Sequence, residues 1–202
     1  MILAIVPAAG QSRRMGAAKQ LLPFAGTTVI GHIVDELRRS RIDEVCVVVG
    51  HEADRVCRAL EGRTVRIVVN PDFAQSDMLA SIRCGLLAMP TACRAVLAAL
   101  GDQPAITAEL IDGMIDCFAI CGRGIVVPVH AGRRGHPLLL AGRYRGEILT
   151  GCDRVGLRGL LAAHADDVFE LPVLTSAVLA DMDYPEDYQR ELARLSTHHA
   201  PP

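Results

Sequence analysis

Neither sign of charge is in excess: 21 Lys and Arg stand against 23 Asp and Glu, a net charge of −2. That balance excludes the broad basic footprint that drives non-specific binding to nucleic acid or to an anionic membrane, so any cationic chemistry must be local. No apolar run is long enough for a membrane span, and the opening MILAIVPAAG lacks the basic leader of a signal peptide, so it reads as a buried first strand. A cytoplasmic location is expected, with no nucleic-acid and no membrane partner. A disulfide framework is missing as well. The cysteines, at positions 46, 57, 84, 93, 117, 121 and 152, form no Cys-x-x-Cys pair, and no histidine lies at metal-ligand spacing beside Cys117 and Cys121. They read as small core residues in a reducing compartment. Two phosphate-binding signatures are absent too. Gly10 and Gly16 enclose five residues and Lys19 is followed by Gln20, so this is no Walker A loop, and Gly-x-Gly-x-x-Gly occurs nowhere.

What is present is half a chain of hydrophobic residues, arranged in short runs that are apolar throughout: Ile2 to Val6, Glu44 to Val49, Val65 to Val69, Ala95 to Leu100 and Ile125 to Val129. Strands of that kind are covered on both faces. Helical spacing fills the gaps, as in Val29-Ile30-Ile33-Val34-Leu37 and Leu79-Ile82-Leu86-Leu87, so the pattern predicts an α/β fold with a mostly parallel sheet. Thr27 and Thr28 can cap a helix running to about Ser40, and Thr107 a second one. Beyond residue 130, HAGRRGHPLLLAG predicts a turn between two short strands, VGLRGLLAAHA a short helix, VFELPVL a late strand, and Glu186 to Leu195 a last helix.

In an open parallel sheet, ligands bind beyond the carboxyl ends of the strands, and the loop from Ala8 to Lys19 leaves such an end. Ala8, Ala9, Gly10, Ser12 and Gly16 keep its main chain bare, so the amides can close on an anion. Arg13, Arg14 and Lys19 add side-chain charge, arginine as a two-pronged phosphate clamp and lysine as a mobile point charge. A grip for a polyphosphate is the chemistry this combination supplies, although a basic, glycine-bearing loop can also be a solvated turn.

The stretch AAGQSRRMGAAKQLLPF resembles the signature of the molybdenum cofactor cytidylyltransferase group within the MobA-like nucleotidyltransferases. Three further motifs follow in the order of that group: GDQP at Gly101 to Pro104 resembles its metal-binding turn, GHP at Gly135 to Pro137 its second-substrate hairpin, and DMDYPEDY at Asp181 to Tyr188 its ending. The resemblance covers residues 3 to 188. It implies a three-layer α/β/α sandwich with a mostly parallel, Rossmann-like nucleotidyltransferase sheet; the length and composition suit one domain, residues 1–196, and the terminal stretch 197–202 reads as a frayed tail. The resemblance implies transfer of a nucleotidyl group, CMP from CTP or GMP from GTP, onto the phosphate of a molybdopterin-type acceptor, with a molybdoenzyme or its maturation chaperone as a protein partner.

Site residues follow from the same resemblance. Arg14, Lys19 and Asp102 are the catalytic candidates, and Ala8, Ala9, Gly10, Ser12, Arg14, Gly16, Lys19 and Ser81 the nucleotide-binding ones. His136 falls on the acceptor side. Asp102 and Asp183 are candidate ligands of Mg²⁺ or Mn²⁺, while Asp181 reads as structural. A hard carboxylate after an apolar strand suits a magnesium ion that also takes phosphate oxygens and water, and an aspartate there can equally cap a turn. Ser81 lies in NPDFAQSDMLASIRCGL, where Phe73 stands in place of the group's tryptophan and residues 76–77 in place of its glycines; a helix serine can also bond its own backbone. Arg133 and Arg134 suit a phosphate-bearing acceptor or a soluble hairpin, and GCDRVGLR resembles the group's Gly-Asp-x-Gly-x-Arg with altered spacing. A sugar- or polyol-phosphate acceptor, and a cofactor carrier without turnover, are the competing readings.

Overall fold

The structure, a computed structural model, describes residues 1–75, 77–153 and 155–198, with side chains through residue 195. Among these residues ten strands run in chain order: β1 (Ile2–Ala8), β2 (Pro23–Phe24), β3 (Thr27–Thr28), β4 (Glu44–Val49), β5 (Arg66–Val69), β6 (Ala95–Ala98), β7 (Ile125–His130), β8 (Arg133–Arg134), β9 (Leu138–Ala141) and β10 (Val168–Pro172). Between them lie α1 (Val29–Arg39), α2 (Ala53–Ala59), α3 (Met78–Ala88), α4 (Ala108–Ile120), α5 (Arg145–Thr150) and α6 (Leu157–Ala163), with α7 (Pro185–His198) after the last strand. The last helix thus runs past Leu195, and the tail expected at 197–202 lies outside the described residues from position 199 on. No helix among them is long and apolar enough to cross a membrane.

The main sheet has the order β10-β7-β9-β6-β1-β4-β5, with β8 paired to β7. Strands β1, β4, β5 and β6 are parallel to one another, as are β7 and β10; β9 enters antiparallel between β6 and β7. Successive residues of β1 point to opposite faces. Ile2, Ala4, Val6 and Ala8 join a core with Ile30, Ile33 and Val34 of α1 and Ile111 and Met114 of α4. Leu3 and Ile5 join the other core, with Leu79, Ile82 and Leu86 of α3 and Leu157, Leu160 and Leu161 of α6. Two apolar faces on one strand explain its unbroken hydrophobic sequence, and helices on both faces make the three-layer sandwich.

Thr28 caps α1, its hydroxyl accepting from the Gly31 N–H at 3.1 Å, and Thr107 caps α4. Asp77 caps α3 by accepting from the Ala80 N–H at 3.0 Å, which gives a physical use to a residue that departs from the family pattern; Ser76 beside it lies outside the described residues. Leu87, placed by its spacing on the apolar face of α3, is 71% exposed, because that helix packs through Leu79, Ile82 and Leu86 and the next position is turned about 100° away. Pro7 is tolerated inside β1 for a register reason. The Ile5 carbonyl accepts from the Ala99 N–H on the β6 side and Pro7 faces the same way, but the β6 pairing ends at Ile5–Ala98, so no rung needs the missing N–H.

Candidate active site

Register brings the site together. Because Ile5 pairs with Ala98, the loop after β1 and the turn after β6 emerge side by side at the carboxyl edge of the sheet. Gly101 lets them touch: a Cβ there would stand 2.6 Å from the Pro7 carbonyl oxygen. The turn's Asp102 carbonyl in turn accepts from the Met182 N–H at 3.1 Å, which draws the Asp181 to Asp183 segment over the same edge. Asp187 at the start of α7 accepts from the Asp183 and Tyr184 amides at 3.1 and 2.9 Å and fixes that segment in place.

Three distant stretches therefore meet in one charged cluster. The Lys19 ammonium donates to Asp102 Oδ2 at 2.5 Å and to Asp183 Oδ1 at 3.2 Å, and Arg14 Nη1 donates to Asp183 Oδ2 at 2.8 Å. Lys19 and Asp102 are well covered, their side chains 14% and 17% exposed, whereas Arg14 and Asp183 form the outer rim at 63% and 46%. Burial works against the Lys19 charge, yet Asp102 and Asp183 outweigh it and hold its pKa above the ordinary lysine value. Burial pushes the Asp102 pKa up, opposed by the Lys19 ammonium, with Asp181 and Asp183 adding repulsion.

The loop itself is shaped by Ser12 and Gly16, both at positive φ (49° and 67°). The Ser12 hydroxyl accepts from the Lys19 N–H at 3.3 Å and donates to Gln20 Oε1 at 3.4 Å, tying the loop's two ends. Gly10 is different. Its φ is not in the left-handed region, and no atom lies within 4 Å of where its Cβ would stand, so neither backbone strain nor packing calls for glycine. Open space beside a bare main chain is what an approaching anion needs.

A cavity of about 390 Å³ adjoins the cluster, lined by Ala9, Gly10, Lys19, Ser81, Asp102 and His136 among others. Ser12 and Gly16 line a separate cavity of about 520 Å³ on the outer side of the loop, with Arg13. Ala8 lies 1% exposed in the core beneath, so only its main chain can face a ligand. Arg13 turns away to Gln11 at 2.7 Å. Ser81 accepts from Asn70 Nδ2 at 3.1 Å, a tertiary partner that the sequence did not indicate. His136 has its backbone held by the Val178 carbonyl at 2.9 Å, and burial lowers its imidazole pKa against the pull of Asp181, so the ring is neutral at neutral pH. Asp181 accepts from Gln103 Nε2 at 2.6 Å and also lines the cavity beside the cluster. Arg134 pairs with Glu170 at 2.7 Å. Arg154, within the stretch of altered spacing, lies outside the described residues.

Two carboxylates around one ammonium suit a hard divalent cation that brings other ligands. They offer it two protein oxygens and leave phosphate oxygens and water to complete the shell. No group of three or more His, Cys, Asp or Glu able to hold a metal occurs among the described residues.

A mostly parallel sheet that presents a bare basic loop and opposed carboxylates at its carboxyl edge defines a nucleotide-handling α/β protein. Residues 4–168 match the MobA-like NTP transferase domain, and the chain belongs to that family of nucleotidyltransferases. It is similar to the molybdenum cofactor cytidylyltransferase of Escherichia coli strain K12, at 24% identity over 185 residues that cover 91% of this chain and 92% of that one. At 35% identity over 130 residues it is similar to the bifunctional protein GlmU of Sinorhizobium medicae strain WSM419; the match covers 62% of this chain but 28% of that relative's length. Among solved structures, Rv0371c of Mycobacterium tuberculosis H37Rv superposes with a TM-score of 0.84 at 30% identity, over 95% of this chain and 97% of that one. The same protein is solved as a complex with manganese, similar at 29% identity with a TM-score of 0.79 over 95% of this chain and 98% of that one.

Proposed function

We propose that this chain, residues 1–196 acting as one domain, transfers CMP from CTP to the phosphate of molybdopterin and releases pyrophosphate. The observation that carries the reading is the meeting of Arg14, Lys19, Asp102 and Asp183, from three remote parts of the sequence, beside a cavity that reaches Ser81 and His136. Likeness to a molybdenum cofactor cytidylyltransferase along nearly the whole chain supports the choice of acceptor and nucleotide.

The acceptor is a phosphate monoester with a second pKa of about 6, so it arrives ionised at neutral pH and needs no general base. Its oxygen attacks the α-phosphorus while the bond to the bridging oxygen breaks and the electron pair leaves with pyrophosphate. The chain's task is alignment and charge neutralisation. Main-chain amides of the bare loop and the Arg14 guanidinium bind the triphosphate, and the Lys19 ammonium sits where negative charge gathers. Neutral His136 orients the acceptor without adding charge. Asp102 and Asp183 would hold Mg²⁺ or Mn²⁺, which when bound supplies Lewis-acid neutralisation of the phosphate oxygens.

Pyrophosphate release is the deciding assay, run with CTP and with GTP, each against molybdopterin and against sugar and polyol phosphates. CTP with molybdopterin should turn over fastest. Preference for GTP moves the assignment to guanylyl transfer, preference for a sugar phosphate removes molybdopterin, and nucleotide binding without release under any acceptor leaves a carrier.

A further inference from the structure

Beside the cavity at the Lys19–Asp102 cluster lies another of about 660 Å³, and the two share Asp77, Met78, His136 and Arg158. The shared residues are the passage between them. The second cavity is walled largely by aliphatic side chains, among them Leu79 and Ile82 of α3, Leu138 of β9, and Leu157 and Leu161 of α6. Its cations are few and unequal. Arg134 is committed to Glu170 at 2.7 Å. Two further arginines line neither cavity: Arg14 pairs with Asp183 at the charged cluster, where it is assigned to the triphosphate, and Arg83 on α3 bonds to Asp153 and to the Ile148 and Gly151 carbonyls. Arg158 is exposed and, among the described residues, makes no hydrogen bond and no ion pair. Of the carboxylates, Asp77 at the passage has its Oδ1 engaged by the Ala80 N–H, and in the first cavity Asp102 is engaged by Lys19 and Asp181 Oδ1 by Gln103.

An uncommitted guanidinium at the passage between a phosphate-binding centre and an aliphatic chamber has one evident use. On the reading that this chain joins a nucleotide to a phosphate monoester, we propose that Arg158 anchors the acceptor's phosphate, with the acceptor's apolar or flat aromatic body in the second cavity. A guanidinium meets a phosphate through two parallel N–H bonds, so it fixes the direction of the attacking oxygen as well as its charge. The chamber sets the class of acceptor. A polyhydroxylated sugar would lay hydroxyls against Leu79, Ile82 and Leu138 and lose their water without replacement, whereas a flat ring system can turn its apolar faces to them and keep its polar edge toward Asp77, His136 and Arg158. Arg158 is accordingly a specificity residue for ring-bearing phosphate monoesters over sugar phosphates.

The test separates binding from turnover. Binding of 4-methylumbelliferyl phosphate, and of 4-methylumbelliferone, which lacks the phosphate, is measured by fluorescence on the full chain, as wild type, Arg158→Met and Arg158→Lys; the chain has no tryptophan to interfere. Wild type should prefer the phosphate ester. Arg158→Met should weaken the ester by about tenfold or more, the worth of hydrogen bonds to a charged group, and leave methylumbelliferone and CTP binding unchanged. Arg158→Lys should restore part of the loss. Absence of saturable ester binding to wild type, equal ester binding by Arg158→Met, or a loss that falls on CTP overturns the assignment. The expected binding pattern without pyrophosphate release from CTP and molybdopterin leaves Arg158 as the anchor and removes the molybdopterin reading alone.

Discussion

Replacing Lys19 with methionine should stop transfer and yet tighten the grip of the nucleotide-free protein on a divalent cation. In the resting site the ammonium lies 2.5 Å from an Asp102 oxygen and 3.2 Å from an Asp183 oxygen, where a metal ion would draw its charge compensation. A single and a double positive charge about 4 Å apart repel by about 2 kcal/mol even with the full screening of water, twice the unit-charge figure. Both Lys19 and Asp102 are more than four-fifths covered, so the real screening is weaker. Two kcal/mol converts to about thirtyfold in affinity, at 1.4 kcal/mol for each factor of ten.

Mn²⁺ binding followed by the loss of its free-ion electron paramagnetic resonance signal reads this directly. Wild type, Lys19→Met and Asp102→Asn are compared at pH 7.5 without nucleotide. Lys19→Met should bind Mn²⁺ about thirtyfold more tightly than wild type, and Asp102→Asn more weakly. Turnover of Lys19→Met should fall by roughly a hundredfold or more, the cost of removing one charge stabiliser from a preorganised site. Equal or weaker Mn²⁺ binding in Lys19→Met refutes the idea that ammonium and metal compete for the same two carboxylates.

Two glycines in the same region should behave oppositely. Gly101→Ala puts a methyl 2.6 Å from the Pro7 carbonyl and should cost roughly 1–3 kcal/mol, several degrees in thermal melting. Gly10→Ala meets nothing within 4 Å and should melt like wild type, but lose CTP affinity in calorimetry; full CTP affinity would mean that no ligand approaches there. The Lys19 pKa is raised in the folded chain, so its stabilisation is fully present below about pH 10.4, the ordinary lysine value, and fades as pH climbs through the folded value. Urea denaturation at pH 8 and at pH 11.5 should therefore show the stability gap between wild type and Lys19→Met closing at the higher pH, and a constant gap would deny the ion pair that role.

What the sequence made legible was whatever a few neighbouring residues decide by themselves. Val29-Ile30-Ile33-Val34-Leu37 with a threonine before it can hardly be other than a capped helix, and the uninterrupted Val45 to Val49 run demands cover on both faces. The hairpin reading of HAGRRGHPLLLAG gave β9 its sense against β7, but its insertion next to β6 was not legible, because LLLA is apolar throughout and carries nothing that names its other neighbour. Nor was the division of the basic loop into two cavities. Ser12 and Gly16 share the bare stretch and its signature with Gly10 and Lys19, but both take positive φ and line a different cavity.

Arg158 shows the same limit from the other side. Its motif was recognisable but displaced, and a displaced motif carries no weight until geometry says what the residue faces. Pairing is a property of space: Arg14, Arg83, Arg134 and Arg158 are equivalent letters in the chain, and the first three find carboxylates where the sheet and its helices bring them. A surface arginine without a partner is ordinary. Among the described residues Arg158 has no partner at the passage between the cavity beside Lys19 and Asp102 and an aliphatic chamber, and on the acceptor reading proposed above its donors are placed to meet a phosphate there.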